Sequence, residues 1–320
     1  MSRHDVRNIA VLDDYQNVAI TSADWSPLKD CAEITIFNDH IADEERLVDR
    51  LLPFDAVCVM RERTPLPRHV LKRLPKLRFI ATTGWRNASI DVAAARDLGI
   101  VVSATGANGS GAPELTWALI LAAARHISKE IASFRSGGWQ TTVGRDLSGS
   151  TLGVIGLGRI GRQIAKVGLA FGMDVIAWSQ NLTDEAAEAA GVRRVEKETL
   201  LRESDWVTLH LVLSERTKGV IGQEELALMK PTAWLVNTSR GPLVDEGALI
   251  AALETKRIAG LAVDVFDHEP LPSNHPLRTF DNVIATPHIG FVTENSYRIF
   301  YRDTVDNLVA WLNGTPLRVL

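Results

Sequence analysis

Residues 151–165 read TLGVIGLGRIGRQIA, an apolar run that breaks at Gly156, Gly158 and Gly161 and resumes with helical spacing. A strand, a glycine turn and the mouth of a helix together form a cradle for a dinucleotide. The first glycine allows the tight turn, the second lets pyrophosphate approach the backbone, and the third packs helix on sheet. Amides at the helix start then face the phosphates. Three such glycines also occur as an unliganded strand-to-helix turn, but the flanking strand and helix favour the cofactor. In the helix, Ile160, Ile164, Val167 and Phe171 recur as one apolar stripe, and Gly172 is placed to end it. The next strand, MDVIAW at 173–178, completes a β-turn-α-β unit.

In such units the second strand usually ends in Asp or Glu, which holds the ribose 2′-hydroxyl of NAD. Here it runs into Trp178, Ser179, Gln180 and Asn181, with Ser179 eighteen residues after Gly161. A neutral group does not repel the extra phosphate of NADP, yet no cation follows directly to attract it. The nearest are Arg159, Arg193 and Arg194. The expected cofactor is NAD or NADP, with no discrimination between them written at this position.

The same alternation runs through the rest of the chain. Residues 8–12, 33–37, 55–60, 77–82 and 100–104 read as strands before the glycine turn, and 205–213, 233–239, 260–266 and 282–287 after it. Helical patterns fall at 43–52, 68–74 and 245–256, and a long one at 294–314 follows the last strand and is free to return to the first unit. Near-continuous apolar strands separated by helices imply parallel sheets covered on both faces. The fold class expected is α/β with two doubly wound units, and TGANGSG at 105–111 supplies the seam.

The chain has 320 residues, a length for about two domains, and a net charge of −4 without a basic block. Nucleic-acid and membrane-surface binding are therefore not expected. The richest apolar segment, ELTWALILAAARH at 114–126, is broken by Glu114 and Arg125 and reads as a buried or interface helix. The opening residues MSRHDVRNIAVLDD lack the apolar core of a secretory signal. Two cysteines, Cys31 and Cys58, support no disulfide framework, so a cytoplasmic location is expected. His268 and His275 have no zinc-site spacing, and no metal is expected.

Three later stretches carry chemistry: LVNTSRGPLVDEGAL (235–249) with Arg240, GLAVDVFDHEP (260–270) with Asp264 and Glu269, and NVIATPHIG (282–290) with His288. Each functional residue lies within or just beyond a strand, where open α/β sheets bind ligands. Reducing a 2-oxo acid requires a cation for the carboxylate, a hydride, and a proton for the nascent alkoxide. An arginine fork suits the first, and a histidine beside a carboxylate suits the last. Singly, each also has an ordinary reading: Arg240 as a strand cap, Glu269 as a turn residue, His288 as a loop histidine. Asp264, inside an apolar run, needs a partner, and a buried ion pair is the structural alternative.

With the glycine turn, these stretches resemble the D-isomer-specific 2-hydroxyacid dehydrogenase family. The resemblance implies a Rossmann-type dinucleotide-binding domain at 105–291 inserted in a flavodoxin-like substrate domain at 1–104 and 292–320. It implies that Arg240 binds the substrate, that His288 is the acid/base and that Glu269 pairs with it. Gly156, Gly158, Arg159, Ile160, Gly161, Ser179, Gln180, His210, Thr238, Ser239, Asp264 and Gly290 would line the cofactor, with Asp264 meeting the carboxamide. His210 fits less closely, because the proline usual two residues later is Val212. The substrate loop of relatives is a turn of small residues whose amides receive the carboxylate. Here it is TTGWRNASID (82–91), so Gly84 is followed by Trp85 and Arg86. If Arg61, Arg63 and Arg86 face the cleft, the substrate carries a second anionic or polar group; otherwise Trp85 narrows the site, or Arg86 simply points to solvent. Pro113 before Glu114 suits a first helical turn. The resemblance further implies a small 2-oxo or 2-hydroxy acid as partner and a homodimer. A dinucleotide-sensing corepressor with little turnover is the alternative, and formate oxidation is disfavoured by Glu269 where a Gln would stand.

Overall fold

Parallel strands buried on both faces have no solvent side, and the central strands here are correspondingly apolar. The computed structural model describes residues 7–320, so the first six residues of the N-terminal stretch read above lie outside it. Strands β1 (Arg7–Val11), β2 (Ala32–Ile36), β3 (Ala56–Val59), β4 (Phe79–Thr82) and β5 (Val101–Ala104) form a parallel sheet in the order β2-β1-β3-β4-β5. Strands β6 (Thr151–Ile155), β7 (Asp174–Trp178), β8 (Arg193–Arg194), β9 (Trp206–Leu209), β10 (Trp234–Asn237), β11 (Gly260–Val263) and β12 (Val283–Ala285) form another, in the order β12-β11-β10-β9-β6-β7-β8. The first order is flavodoxin-like and reverses between β1 and β3; the second is Rossmann-type and reverses between β6 and β9. By contacts the chain divides into Met1–Asn108 with Val292–Leu320, and Gly109–Phe291.

In the first unit, Asp43 caps the helix Glu44–Leu51 by accepting from the Arg46 amide at 2.9 Å, and Leu47, Val48 and Leu51 bury against the sheet. The chain re-enters this unit as the helix Glu294–Leu312, capped by Thr293. Its Trp311 stacks on Phe79 at 5.0 Å between centroids, and buried Asn307 donates to the Ala104 carbonyl (2.8 Å) while accepting from Arg318 (2.8 Å). The end of β5 is thus tied to the returning helix.

The second unit sandwiches its sheet between two apolar layers, one containing Ile155, Val207, Leu209 and Leu235, the other Leu152, Val154, Trp206 and Val236. Here the expected apolar stripe needs correction. The helix Arg159–Ala170 buries Gly161, Ile164, Ala165 and Gly168, whereas Val167 and Phe171 are exposed. Small residues let the helix come close: a Cβ on Gly168 would lie 2.8 Å from Leu152 and 3.2 Å from Val175. The contact face therefore centres on glycine and alanine rather than on the largest side chains, and Phe171 packs on Trp117 instead (5.2 Å). The strand expected at 205–213 stops at Leu209, where pairing with β6 and β10 ends, and Val212 is exposed. The helix Gly111–Ala124 buries Pro113, Trp117, Leu119 and Ile120, so it is a core helix of its unit. Larger apolar exposure falls on the helix Ile127–Arg135 and the loop after it, at Phe134, Trp139 and Val143. Among the described residues no helix is long and apolar enough to cross a membrane.

Candidate active site

The glycine turn stands between the carboxyl end of β6 and the helix Arg159–Ala170, beside the sheet's reversal. Its three glycines answer to different neighbours. Gly156 has φ +102°, and a Cβ there would meet the His210 carbonyl at 2.7 Å. A Cβ on Gly161 would fall 2.0 Å from the Gly156 carbonyl. Around Gly158 a Cβ would meet nothing within 4 Å, so no protein atom demands glycine there. A ligand pressed against the backbone would demand it, and the first-turn amides after Gly158 lack partners within the helix. Ile160 is half-buried, and the Arg159 guanidinium reaches Gly109.

At the end of β7, Ser179 is half-buried and Gln180 and Asn181 are exposed. Two of the cations considered for an extra phosphate are engaged by acids: Arg193 by Glu203 (3.0 Å) and Asp174 (3.8 Å), Arg194 by Glu196 (3.1 Å) and Asp184 (3.6 Å). Past β9, His210 Nε2 bonds the Thr208 hydroxyl. Burial pushes the imidazole down to about 3, and its buried Nδ1 has no partner among the described residues. An orphaned ring nitrogen beside the glycine turn and the open space over Gly158 both fit a bound dinucleotide.

The turn after β10 presents Arg240. Asn237 organises it, donating to the Arg240 carbonyl (2.8 Å) and accepting from the Ser239 amide (3.0 Å). Ser239 Oγ donates to the Leu209 carbonyl (2.7 Å), Thr238 Oγ1 bonds Thr116 Oγ1 (2.7 Å), and Arg240 Nη1 donates to the Ser239 carbonyl (2.7 Å). Gly241 then touches the next loop: a Cβ there would lie 2.2 Å from the Phe266 backbone. This brings the Arg240 turn against the segment bearing Glu269. Glu269 Oε1 accepts from the Phe266 amide (2.9 Å), and Oε2 meets His288 Nδ1 at 2.5 Å. Nδ1 is thereby occupied by the carboxylate.

Asp264 is 1% exposed, and its partners are donors rather than a cation, which corrects the ion-pair alternative. Oδ1 accepts from Thr286 Oγ1 (2.6 Å) and the Ile289 amide (2.8 Å), Oδ2 from the Gly290 amide (2.8 Å). Burial holds its carboxyl above the usual range, against the pull of those donors. In the other unit, Gly84 is buried with φ +81°, while Trp85 and Arg86 are exposed. Arg63 Nη1 donates to the Asp13 carbonyl (2.8 Å) and its guanidinium sits over Tyr15 (4.3 Å).

Sequence reasoning passed over Gly241 and Thr286 as supports of the site, and took Asn237 only as a cofactor-lining residue implied by resemblance. Asn237 alone left a readable sign, since an Asn two residues before a turn commonly bonds the backbone there.

Comparison with known proteins identifies the family. The model of the D-isomer specific 2-hydroxyacid dehydrogenase NAD-binding domain matches residues 117–290. A D-3-phosphoglycerate dehydrogenase of Methanocaldococcus jannaschii is 43% identical over 259 residues, 80% of this chain and 49% of the relative. A glyoxylate reductase of Aeropyrum pernix is 42% identical over 255 residues, 77% of this chain and 76% of the relative. The chain thus spans about half the length of the first and three quarters of the second. The crystal structure of a phosphoglycerate oxidoreductase from Vibrio cholerae o395 superposes with TM-score 0.91 at 38% identity, covering 97% of this chain and 100% of that one.

The glycines predict opposite phenotypes. Gly161→Ala should destabilise the fold by about 3 kcal/mol through overpacking, seen in urea unfolding. Gly158→Ala should leave unfolding unchanged while raising the NADH dissociation constant about tenfold or more, read by fluorescence titration. His210 predicts an acid sensitivity. Above pH 6.5 the ring is neutral folded or unfolded; between 6.5 and about 3 the unfolded chain takes a proton that the folded one refuses, so stability falls with pH across that window. His210→Gln should flatten the decline in melting temperature between about pH 6.5 and 4, and an unchanged slope would count against the buried neutral ring.

Proposed function

The chain belongs to the D-isomer-specific 2-hydroxyacid dehydrogenase family, and from that premise we propose that it interconverts a 2-oxo acid and a D-2-hydroxy acid. The observation that carries the proposal is the 2.5 Å contact between His288 Nδ1 and Glu269 Oε2, held in the unit that carries the glycine turn. The unit 105–291 is the NAD(P)-binding domain and the remainder the substrate domain. Gly156, Gly158, Arg159, Ile160, Gly161, Ser179, Gln180, His210, Thr238, Ser239, Asp264 and Gly290 would hold the dinucleotide, which when bound supplies or accepts the hydride.

This chain's own residues do the rest. Arg240 binds the substrate carboxylate and polarises the 2-oxo group through its planar fork. His288 gives a proton from Nε2 to the forming alkoxide oxygen, and takes it back in the oxidative direction. Glu269 accepts from Nδ1 and so fixes the ring's tautomer and orientation. Gly84, Trp85 and Arg86 form the loop that receives the carboxylate. The Gly84 amide already donates to Thr105 Oγ1 at 2.9 Å, so the amides of Trp85 and Arg86 are the ones that serve. Glyoxylate and hydroxypyruvate are the first substrates to expect. With no acid at Ser179 to repel a 2′-phosphate, and with Arg193 and Arg194 engaged, NADPH is tolerated rather than selected.

Two copies pair through the apolar face of helix Ile127–Arg135 and its following loop, where Phe134, Trp139 and Val143 are 68%, 74% and 91% exposed. Two free thiols, Cys31 and a deeply buried Cys58, fit a reducing compartment such as the cytoplasm.

Initial rates of NADH and NADPH oxidation with glyoxylate and hydroxypyruvate test the chemistry. His288→Asn should lower kcat by about a hundredfold or more and leave the NADH dissociation constant within about twofold. Turnover retained in the variant would remove His288 from the role; tight NADH binding with no turnover in the unaltered protein would favour the dinucleotide-sensing reading. For the dimer, Phe134→Glu should shift sedimentation equilibrium from two chains to one.

A further inference from the structure

Two loops at the carboxyl edge of the first sheet are laced together, and Arg61 is the lace. The Arg61 amide donates to Thr83 Oγ1 (2.8 Å), and its carbonyl accepts from Asn87 Nδ2 (2.6 Å), which also donates to Thr82 Oγ1 (2.9 Å). Its side chain passes under the loop. Nη1 donates to the Thr83 carbonyl (3.3 Å), and a Cβ built on Gly84 would fall 2.2 Å from that nitrogen. The guanidinium therefore fills the space a side chain at position 84 would take. Glu62 meets the other end of the group, its Oε2 3.7 Å from Nε. Arg61 also holds φ +53°, a conformation glycine adopts at less cost. A residue that is dearer for the backbone than glycine is worth keeping there only for its side chain.

We propose that Arg61 is a positioning residue for substrate binding: its guanidinium sets the Thr83–Asn87 loop in the conformation that receives the carboxylate, without touching the substrate. This rests on the reading above that the loop is the carboxylate receptor. The guanidinium thus acts on the carboxylate common to every substrate of the class, not on the feature that distinguishes one from another.

The test compares Arg61→Gly, which suits the backbone and removes only the side chain, with Arg61→Lys. The substrates are glyoxylate and the dianionic oxaloacetate, and oxalate with NADH serves as a binding probe read by tryptophan fluorescence. Expected for Arg61→Gly is a rise in KM of about tenfold for both acids, a matching weakening of oxalate, and kcat and NADH affinity near those of the unaltered protein. The melting temperature should not fall, and Arg61→Lys should recover part of the loss. A KM rise confined to oxaloacetate would make Arg61 a direct contact and overturn the proposal. So would unchanged oxalate binding, or a loss of kcat that tracks a falling melting temperature. If the unaltered protein turns over neither acid, the dehydrogenase reading has failed, and the oxalate comparison still decides the role of Arg61.

Discussion

A carboxylate removed from water is among the more expensive groups a fold can bury, and this one buries Asp264 at the end of β11. Three donors from one short segment compensate it: Thr286 Oγ1 and the amides of Ile289 and Gly290. The bonds fasten the residues on both sides of His288. Gly290 must be glycine-sized for this, since a Cβ there would press on Asp264 Oδ2 at 3.1 Å. The His288 ring is then aimed by Glu269, itself held by the Phe266 amide two residues beyond Asp264. The contacts that place the His288–Glu269 pair run through the ends of strands β11 and β12, whose register pairs Val263 with Ala285.

The same unit separates two demands that the glycine turn places on one motif. Gly156 and Gly161 satisfy the chain itself: one takes a left-handed turn against the His210 carbonyl, the other lets the helix start against the Gly156 carbonyl. Among the described residues, nothing lies within 4 Å of a Cβ at Gly158. The familiar spacing thus holds two packing constraints and, at Gly158, open space that a bound dinucleotide would use. This also explains why an unliganded strand-to-helix turn mimics the motif so readily in sequence.

Strand positions, the all-parallel sheets and the place of the catalytic candidates beyond strand ends were legible because buried parallel strands leave continuous apolar runs. What was not legible depends on close approach. In helix Arg159–Ala170, periodicity pointed to Val167 and Phe171, yet glycine and alanine define the packed face, because a narrow gap selects against bulk. The run 205–213 looked like one strand because apolar residues continue past Leu209, although no neighbouring strand continues with them. Asp264 needed a partner by any reading, but no sequence rule says that the partner is a hydroxyl and two amides rather than a cation. Arg61 and Arg63 were visible as cations near a strand end; that they turn to Gly84 and Tyr15 respectively is a matter of loop geometry.

Backbone conformation supplies an independent argument for which of these residues matter. Non-glycine residues with positive φ include His126 and Lys256, which follow helices where a left-handed residue is an ordinary way to stop. Three others stand just past the carboxyl ends of parallel strands: Asp13 after β1, Arg61 after β3 and His288 after β12. Nothing about ending a strand requires that conformation, and glycine would adopt it more cheaply. Each of the three uses its side chain: Asp13 accepts from Thr64 (2.6 Å) and His40 (2.9 Å), Arg61 fills the space under Gly84, and His288 meets Glu269. In a doubly wound sheet the carboxyl edge is where ligands bind. In both sheets of this chain, side chains held against the backbone's preference thus stand on the edge that this fold offers to ligands.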